Sequence, residues 1–190
     1  MMKRLSTLFL LASFLIISCG PAEEEELPEP AEDIPMHDRL VSVIHPTEGN
    51  DITGVISFSR EGDNVRIIAT VTGLEPESMH GLHIHEYGDC TEGDGTSAGE
   101  HYDPFGMPHA GPTDNERHMG DLGNLVSDQN GVAELDYVDE VVELDGEFSI
   151  IGRGVIVHAE EDDFESQPAG DAGDPLGCGV IGVSQPVEAE

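Results

Sequence analysis

Histidines are the residues of this sequence best suited to chemistry. The chain has nine of them, and two form the step His83-Ile84-His85 in a strand-like segment. Alternate residues of a strand point to the same face, so both imidazoles can reach one metal ion. Neutral imidazole is the commonest transition-metal ligand, and it suits copper and zinc. On its own, however, one such step is a weak signal of a metal site.

A second set of ligand candidates lies further along the chain. Three histidines and a carboxylate, spaced 8, 9 and 3 residues apart, occupy a loop-like segment: His101, His109, His118 and Asp121. Such a set suits tetrahedral zinc. His158 ends another strand-like segment, where a lone histidine is more often a core or edge residue. Seven candidates within 76 residues nevertheless favour a metal centre over seven unrelated positions.

The elements that must position these residues are short and strand-like. They cover residues 40–45, 52–59, 65–71, 81–85, 132–137, 148–151, 154–158 and 179–183. Turn-forming residues separate them, as at residues 61–64 and 128–131. Many short strands with glycine-rich turns predict an all-β sandwich or barrel. Two segments, 86–120 and 159–177, are rich in Gly, Pro and Asp, and loops of that length are usually functional or disordered.

Several strings of the sequence resemble the copper,zinc superoxide dismutase family. They are HGLHIHEYGD at 80–89, TSAGEHYDP at 96–104, RHMGDLGN at 117–124, IIGRGVIVH at 150–158 and CGVIG at 178–182. The resemblance covers roughly residues 39–184. It implies an eight-stranded Greek-key β-barrel with two long functional loops, the metal-binding loop and the loop before the last strand. It also implies superoxide as the substrate, copper and zinc as cofactors, and a homodimer as one assembly the chain could form.

The resemblance assigns a role to each candidate ligand. Copper would be bound by His83, His85, His101 and His158. Zinc would be bound by His101, His109, His118 and Asp121. His101 occurs in both sets because the family uses it as an imidazolate bridge between the two metals. The resemblance implies that reduced copper releases this ring, which takes up a proton and stays on zinc. Two flanking cations make a deprotonated ring reasonable near neutral pH.

Three further positions match the family. Cys90 and Cys178 match its disulfide, and an oxidising compartment would favour the same pair; the alternative is two free, buried cysteines. Asp162 matches an acid that links the copper ligand His83 to the zinc ligand His109, and such outer bonds fix ring orientation. The alternative for Asp162 is one more acid in the acidic run 160–163.

The sequence departs from the family at the expected entrance to copper. Pro175 stands where the family usually has an arginine, and Ala169 appears where a threonine usually narrows the channel. No Lys or Arg follows Arg153. A channel without a guiding cation should capture an anion more slowly. These departures leave open a second hypothesis, a non-enzymatic envelope lipoprotein that buffers copper and zinc.

The N-terminal residues predict export. Lys3 and Arg4 precede the apolar run 8–17, which is typical of a secretory signal and too short to span a bilayer. The sequence before Cys19 resembles a bacterial lipobox, so we expect a signal peptide at 1–18, a lipidated Cys19 on an acidic, proline-rich tether at 19–37, and the folded domain at 38–190. The expected location is the periplasmic side of the outer membrane, with the lipid as the sole membrane contact. A plain signal peptide with a chance cysteine is the alternative.

The charge of the chain excludes one class of partner. The formal net charge is −33, with 40 acidic residues against 7 basic ones. Nucleic acid would be repelled by such a chain, since phosphate binding requires Lys and Arg. The acidic balance otherwise indicates only a well-solvated surface.

Overall fold

Eight antiparallel strands form a nearly closed barrel in the computed structural model, which describes residues 36–185. The strands are β1 Arg39–Pro46, β2 Thr53–Glu61, β3 Asn64–Thr72, β4 Met79–His85, β5 Asp121–Val126, β6 Val132–Asp139, β7 Gly154–His158 and β8 Pro175–Val183. Their hydrogen-bonded order is β5-β4-β7-β8-β1-β2-β3-β6. The all-β Greek-key barrel predicted from the sequence is therefore confirmed.

Buried and exposed residues alternate along the strands, and the buried residues form the core. In β3 the residues Val65, Ile67, Ala69 and Val71 are buried, and the residues between them face solvent. Side chains of successive strand residues point to opposite faces, so this pattern places one apolar face inside the barrel. The resulting core includes the fully buried side chains of Leu40, Ile56, Phe58, Leu82 and Leu125.

One strand prediction was wrong and one strand was not predicted, and each has a physical cause. The segment 148–151 is a turn, in which the buried Ile150 anchors a loop by donating its N–H to the Glu143 carbonyl. Strand β5 was not predicted, because its sequence contains an acid, an asparagine and Gly123. That glycine adopts φ +87°, and a Cβ there would approach the Pro112 ring to 2.9 Å.

Two long connections meet beside β4 and β7. The first, called here the metal loop, comprises residues 86–120 and contains one short 3-10 helix, Thr96–Ala98. The second, called the closing loop, comprises residues 159–174 and ends where β8 begins. A disulfide joins Cys90 in the metal loop to Cys178 in β8. The predicted disulfide and the first long loop are confirmed, whereas the second loop ends at residue 174 rather than 177, because residues 175–177 pair with β7 and β1 as the start of β8.

The predicted signal peptide, lipidated Cys19 and most of the tether lie outside the described residues. At the tether boundary, His37 contacts the barrel domain, since its Nδ1 lies 2.6 Å from Asp145 Oδ1. Among residues 36–185, the structure contains no helix with the length and hydrophobicity needed to cross a membrane.

Candidate metal centre

Strands β4 and β7 place the first histidines. The two strands pair directly, with His83 opposite Ile156 and His85 opposite Gly154. The register of β4 against β5 shifts between Gly81 and His83, so β4 carries an irregularity at the start of the histidine step. The metal loop then returns across this face, and His101 forms an isolated backbone bridge with His85.

The first group consists of four buried imidazoles whose ring nitrogens can lie within 4.8 Å of one another: His83, His85, His101 and His158. Backbone carbonyls hold two of the rings. His85 Nδ1 donates to the Gly99 carbonyl at 2.8 Å, and His158 Nδ1 donates to the Gly173 carbonyl at 3.0 Å. These bonds leave both Nε2 atoms free, and they lie 3.4 Å apart. Two lone pairs at that separation are what a shared metal ion would bind.

Unpartnered nitrogens provide an independent test of fit. Within the described residues, His83 Nδ1, His101 Nε2 and His118 Nδ1 are buried and make no hydrogen bond. Buried polar atoms in native proteins almost always have a partner, so each of these needs an explanation. A metal ion on each nitrogen supplies one, and the donor set therefore fits metal binding.

Asp121 is the centre of the second group. Its Oδ1 lies 2.9 Å from His101 Nδ1, 3.0 Å from His109 Nδ1 and 3.4 Å from His118 Nδ1. All four side chains are largely or wholly buried. Three imidazole nitrogens converging on one carboxylate oxygen form a closed set of four ligands, as structural zinc requires.

His83 also approaches the second group, but its orientation assigns it to the first. Ligand atoms of His83, His101, His109 and Asp121 also lie within 4.8 Å of one another, so His83 could take the place of His118. However, His83 Nε2 is hydrogen-bonded to Asp162 Oδ2 at 2.7 Å, so this nitrogen is occupied. Only His83 Nδ1 is free, and we take His118, whose unpartnered Nδ1 faces Asp121, as the fourth member.

His101 is the one ring with a nitrogen toward each group. Its Nδ1 contacts Asp121, and its Nε2 has no partner among the described residues. The ring stacks on His83 with centroids 3.8 Å apart. His101 therefore has the placement of a ligand shared by two metal ions.

Burial sets the protonation of the first group. Desolvation lowers the pKa of His83 to about 3, although the hydrogen bond that the ring donates to Asp162 acts in the opposite direction. Desolvation also lowers the pKa of His158 to about 4 and that of His85 well below its usual value. These rings are therefore neutral at physiological pH, the form in which imidazole binds metals.

In the second group, the pKa of the histidine ligand candidate His109 is raised rather than lowered. Burial acts to lower the pKa of His109, but the hydrogen bonds that the ring donates to Asp121 and Asp162 outweigh burial and raise the pKa to about 9. Burial likewise acts to raise the pKa of Asp121, but the hydrogen bonds from His101 and His109 and the nearby ring of His118 hold it far below the usual range. In the metal-free protein, His109 is therefore protonated, and its positive charge balances the carboxylates that a bound cation would otherwise neutralise.

Asp162 connects the two groups. Its Oδ2 accepts from His83 Nε2 and its Oδ1 from His109 Nε2 at 2.8 Å, and all three side chains are wholly buried. Asn124 holds the backbone of Asp162 through two bonds of 2.8 Å. Gly170 packs against the same carboxylate, and any Cβ at this position would overlap Asp162 Oδ1. Asp162 thus lies between one ring of each group.

Several supporting residues were not found from the sequence. Arg117 is wholly buried, and it pairs with Asp139 while donating to the backbone carbonyls of His118 and Asp121. Gln167 bonds the backbone of His109. No local pattern indicates these contacts, because the partners are up to 58 residues apart.

Of the two positions that depart from the family, only Pro175 lies directly beside a ring of the first group. Pro175 begins β8 opposite His158, and its carbonyl accepts a bond of 2.7 Å from the Thr47 hydroxyl. Ala169 is half-buried in the closing loop, next to Gly170. The closing loop contains seven acidic residues and no basic one.

Comparisons with known proteins agree with this geometry. The sequence model of the family described as Copper/zinc superoxide dismutase (SODC) matches residues 52–181. A Superoxide dismutase [Cu-Zn] of Paramecium bursaria Chlorella virus 1 is 43% identical over 151 residues, covering 76% of this chain and 80% of the relative. One from Cryptococcus neoformans var. grubii is 44% identical over 141 residues, covering 70% and 91%.

An extracellular superoxide dismutase [Cu-Zn] of Brugia pahangi is 41% identical over 153 residues, covering 76% of this chain and 75% of the relative. Among solved structures, that of the clock protein EA4 superposes with a TM-score of 0.73 at 37% identity, covering 80% of this chain and 99% of that one. Both the sequence matches and the barrel with its histidine groups thus place the chain in the copper/zinc superoxide dismutase family, as an oxidoreductase that dismutates superoxide with copper and zinc as cofactors.

Proposed function

We propose that the first group is the copper site and the second the zinc site of this dismutase. Copper would be held by His83, His85, His101 and His158, and zinc by His101, His109, His118 and Asp121. The observation that carries this assignment is the placement of His101, with one nitrogen toward Asp121 and the other unpartnered beside His83. The all-imidazole group suits a redox-active copper, and the carboxylate-containing group suits zinc.

The protein contributes orientation and proton supply. Dismutation converts two superoxide ions and two protons to one O2 and one H2O2. Copper bound by the first group supplies the one-electron chemistry. His101 Nε2 is the protein atom placed to carry a proton to the reacting oxygen, because its other nitrogen is fixed by the second group. Asp162 keeps the rings of His83 and His109 in one tautomer throughout.

Metal analysis paired with a superoxide assay tests the assignment. We expect one copper and one zinc per chain, and we expect His101→Ala to lose most of the activity while retaining both metals at reduced affinity. His45→Ala is the matched control, since His45 is exposed on β1 and should leave activity unchanged. A protein that binds both metals but does not accelerate peroxide formation from superoxide would instead support metal buffering.

Superoxide should reach the copper site more slowly than it would if a cation stood at the entrance. The closing loop contacts both groups and contains seven acids and no cation, and Pro175 occupies the position opposite His158. An anionic substrate would meet a repulsive field that copper and backbone dipoles only partly offset. We therefore propose an active enzyme whose second-order rate constant is limited by charge.

We further infer that the protein is exported and held at the cell envelope by a lipid on Cys19, on the periplasmic side of the outer membrane. The signal-like residues 1–18 support export, and so do the names of two relatives that are called extracellular. Labelling cells with radioactive palmitate tests the anchor. Native protein should incorporate label and sediment with membranes, and Cys19→Ala should do neither. A native protein that is secreted without label would contradict the anchor.

We also infer that two copies associate through β1 and β8. Val43 and Val180 are exposed on these adjoining strands, and Val55 lies opposite Val43 on β2. A shallow depression at this face has no acidic residue in its lining, so two copies of a chain with net charge −33 could approach there. Sedimentation velocity should show a dimer that Val43→Glu dissociates. Val138→Glu, at an exposed position of β6, should leave it intact. A monomeric native protein would contradict this inference.

A further inference from the structure

The backbone of the zinc-ligand candidate His109 is held by a side chain. The N–H of His109 donates to Gln167 Oε1 at 2.9 Å, and Gln167 Nε2 donates to the His109 carbonyl at 2.8 Å. Both backbone groups of one residue are thus paired by one amide, in the manner of a neighbouring strand. Within residues 36–185, no backbone group of another residue is bonded to His109.

The segment around His109 is held in place by side-chain hydrogen bonds. Residues 107–111 lie in no helix or strand, so no ladder fixes their position. Ala110 is attached to Asp121 Oδ2 by a 3.2 Å bond from its N–H, which ties the segment to another ligand candidate rather than to the barrel. The direction of the His109 ring must therefore be set by the contacts of its own backbone and side chain.

The closing loop supplies both of those contacts. Asp162 accepts from the ring nitrogen Nε2 of His109, and Gln167 pairs with its backbone. Between these two residues the loop doubles back, with the Asp163 N–H bonded to the Gly170 carbonyl and the Gly170 N–H bonded to the Ser166 carbonyl. The closing loop is thus hydrogen-bonded both to the ring and to the backbone of His109. With Nε2 bonded to this loop, Nδ1 is the ring nitrogen that faces Asp121.

We propose that Gln167 is a positioning residue for zinc, fixing the backbone of His109 so that its Nδ1 is aimed at the metal. The proposal rests on the assignment of His109 to the zinc site. Gln167 is itself exposed to solvent, so its role is not that of a core residue. Losing both bonds should free the 107–111 segment and weaken zinc binding, whereas the carbonyl contacts of the copper-group rings His85 and His158 would stay in place.

The test compares Gln167→Met, which keeps the side-chain length but removes both hydrogen bonds, with Gln129→Met. Gln129 lies in the exposed turn between β5 and β6 and makes no side-chain hydrogen bond. Zinc affinity is measured by competition with a chromophoric chelator. We expect the dissociation constant to rise about tenfold in Gln167→Met, at the lower end of the effect of outer contacts on metal affinity, and to change less than twofold in Gln129→Met.

A spectroscopic readout separates positioning from stability. Cobalt(II) bound in place of zinc should show shifted and weaker visible absorption in Gln167→Met, since ligand geometry sets those bands, while the melting temperature of the metal-free protein stays within about 2 °C of native. Gln167→Glu keeps the acceptor for the His109 N–H, so its spectrum should lie closer to native. An unchanged zinc affinity and cobalt spectrum in Gln167→Met would overturn the proposal, as would parallel losses of zinc affinity, copper affinity and metal-free stability.

His109→Ala distinguishes this proposal from the assignment on which it rests. If His109→Ala lowers zinc affinity strongly and Gln167→Met does not, the site assignment stands and the role of Gln167 is refuted. If His109→Ala leaves zinc affinity unchanged, the assignment itself is wrong and the role of Gln167 is refuted with it.

Discussion

Asp162→Asn should weaken both metal sites, because one carboxylate serves a ring in each. The native Oδ1 accepts from His109 Nε2 and from the Phe164 N–H, and Oδ2 accepts from His83 Nε2. An asparagine amide has one accepting oxygen, so one buried imidazole N–H must lose its acceptor. The negative charge that favours a cation nearby is also lost. A buried unsatisfied donor costs about 1–3 kcal/mol, which corresponds to a factor of about 5–150 in an equilibrium constant.

The expected result is a rise of about 10–100-fold in the zinc dissociation constant, with a loss of copper affinity in the same direction. Chelator competition at pH 7.5 and fixed ionic strength measures both constants. The control is Glu161→Gln, which removes the same charge from the exposed neighbouring position. If Asp162→Asn folds and binds both metals within twofold of native, then the Asp162 contacts do not orient the ligands and the reasoning fails. Equal losses in Glu161→Gln would show that only the overall loop charge matters.

Four other predictions concern the charge at position 175, added salt, the disulfide and pH. Pro175→Arg should raise the pulse-radiolysis rate constant for superoxide about tenfold at low salt relative to Pro175→Gln, because it places a cation beside His158; equal rates in the two variants would rule out the electrostatic explanation. In the native protein, added salt should leave this rate constant unchanged or raise it, and a steep fall would count against a repulsive entrance. Cys178→Ser removes a crosslink between positions 88 residues apart, and it should lower the free energy of unfolding in urea by about 4 kcal/mol; an unshifted urea midpoint would contradict this. The metal-free protein should lose stability on acidification. The pKa values of His83 and His158, about 3 and about 4, lie below the unfolded value of 6.5, so the unfolded chain takes up protons first as pH falls below 6.5. Between pH 6.5 and pH 5 the loss should be about 2 kcal/mol for each histidine, and thermal unfolding that is independent of pH over this range would refute it.

The parts of the fold that the sequence predicted were those governed by local pattern. The alternation of β3 and the histidine step of β4 are readable because the side-chain period of a strand is two. Strand β5 was missed because it begins with Asp121 and contains Gly123 at φ +87°. Neither aspartate nor glycine is favoured by β-strand propensity. The run 148–151 resembled a strand because Ile150 is apolar, although it serves as a loop anchor.

The candidate site divides in the same way. Six of the seven ligand candidates were found because they are histidines, Asp121 because it follows three of them, and their grouping followed from the family resemblance. The resemblance also indicated Asp162, but the supports Gln167 and Asn124 were not found, because they act through backbone bonds to residues 58 and 38 positions away. An amide side chain that pairs with a distant backbone has no sequence signature, since the same residue type serves equally well on a surface. Only the folded chain brings these partners together.

The barrel has one seam without a backbone ladder, between the free edges of β5 and β6. Side chains span it: the Tyr137 hydroxyl donates to the Leu122 carbonyl, and Arg117 joins the Asp121 carbonyl to the Asp139 carboxylate. Asp121 heads β5, so a cation bound there would fasten this edge to the loop beside it. Separation of β5 from β6 and dissociation of the bound metal ion should then occur together. Amide protons of β5 would accordingly exchange with solvent at a rate set by metal occupancy, reporting loading without any enzymatic assay.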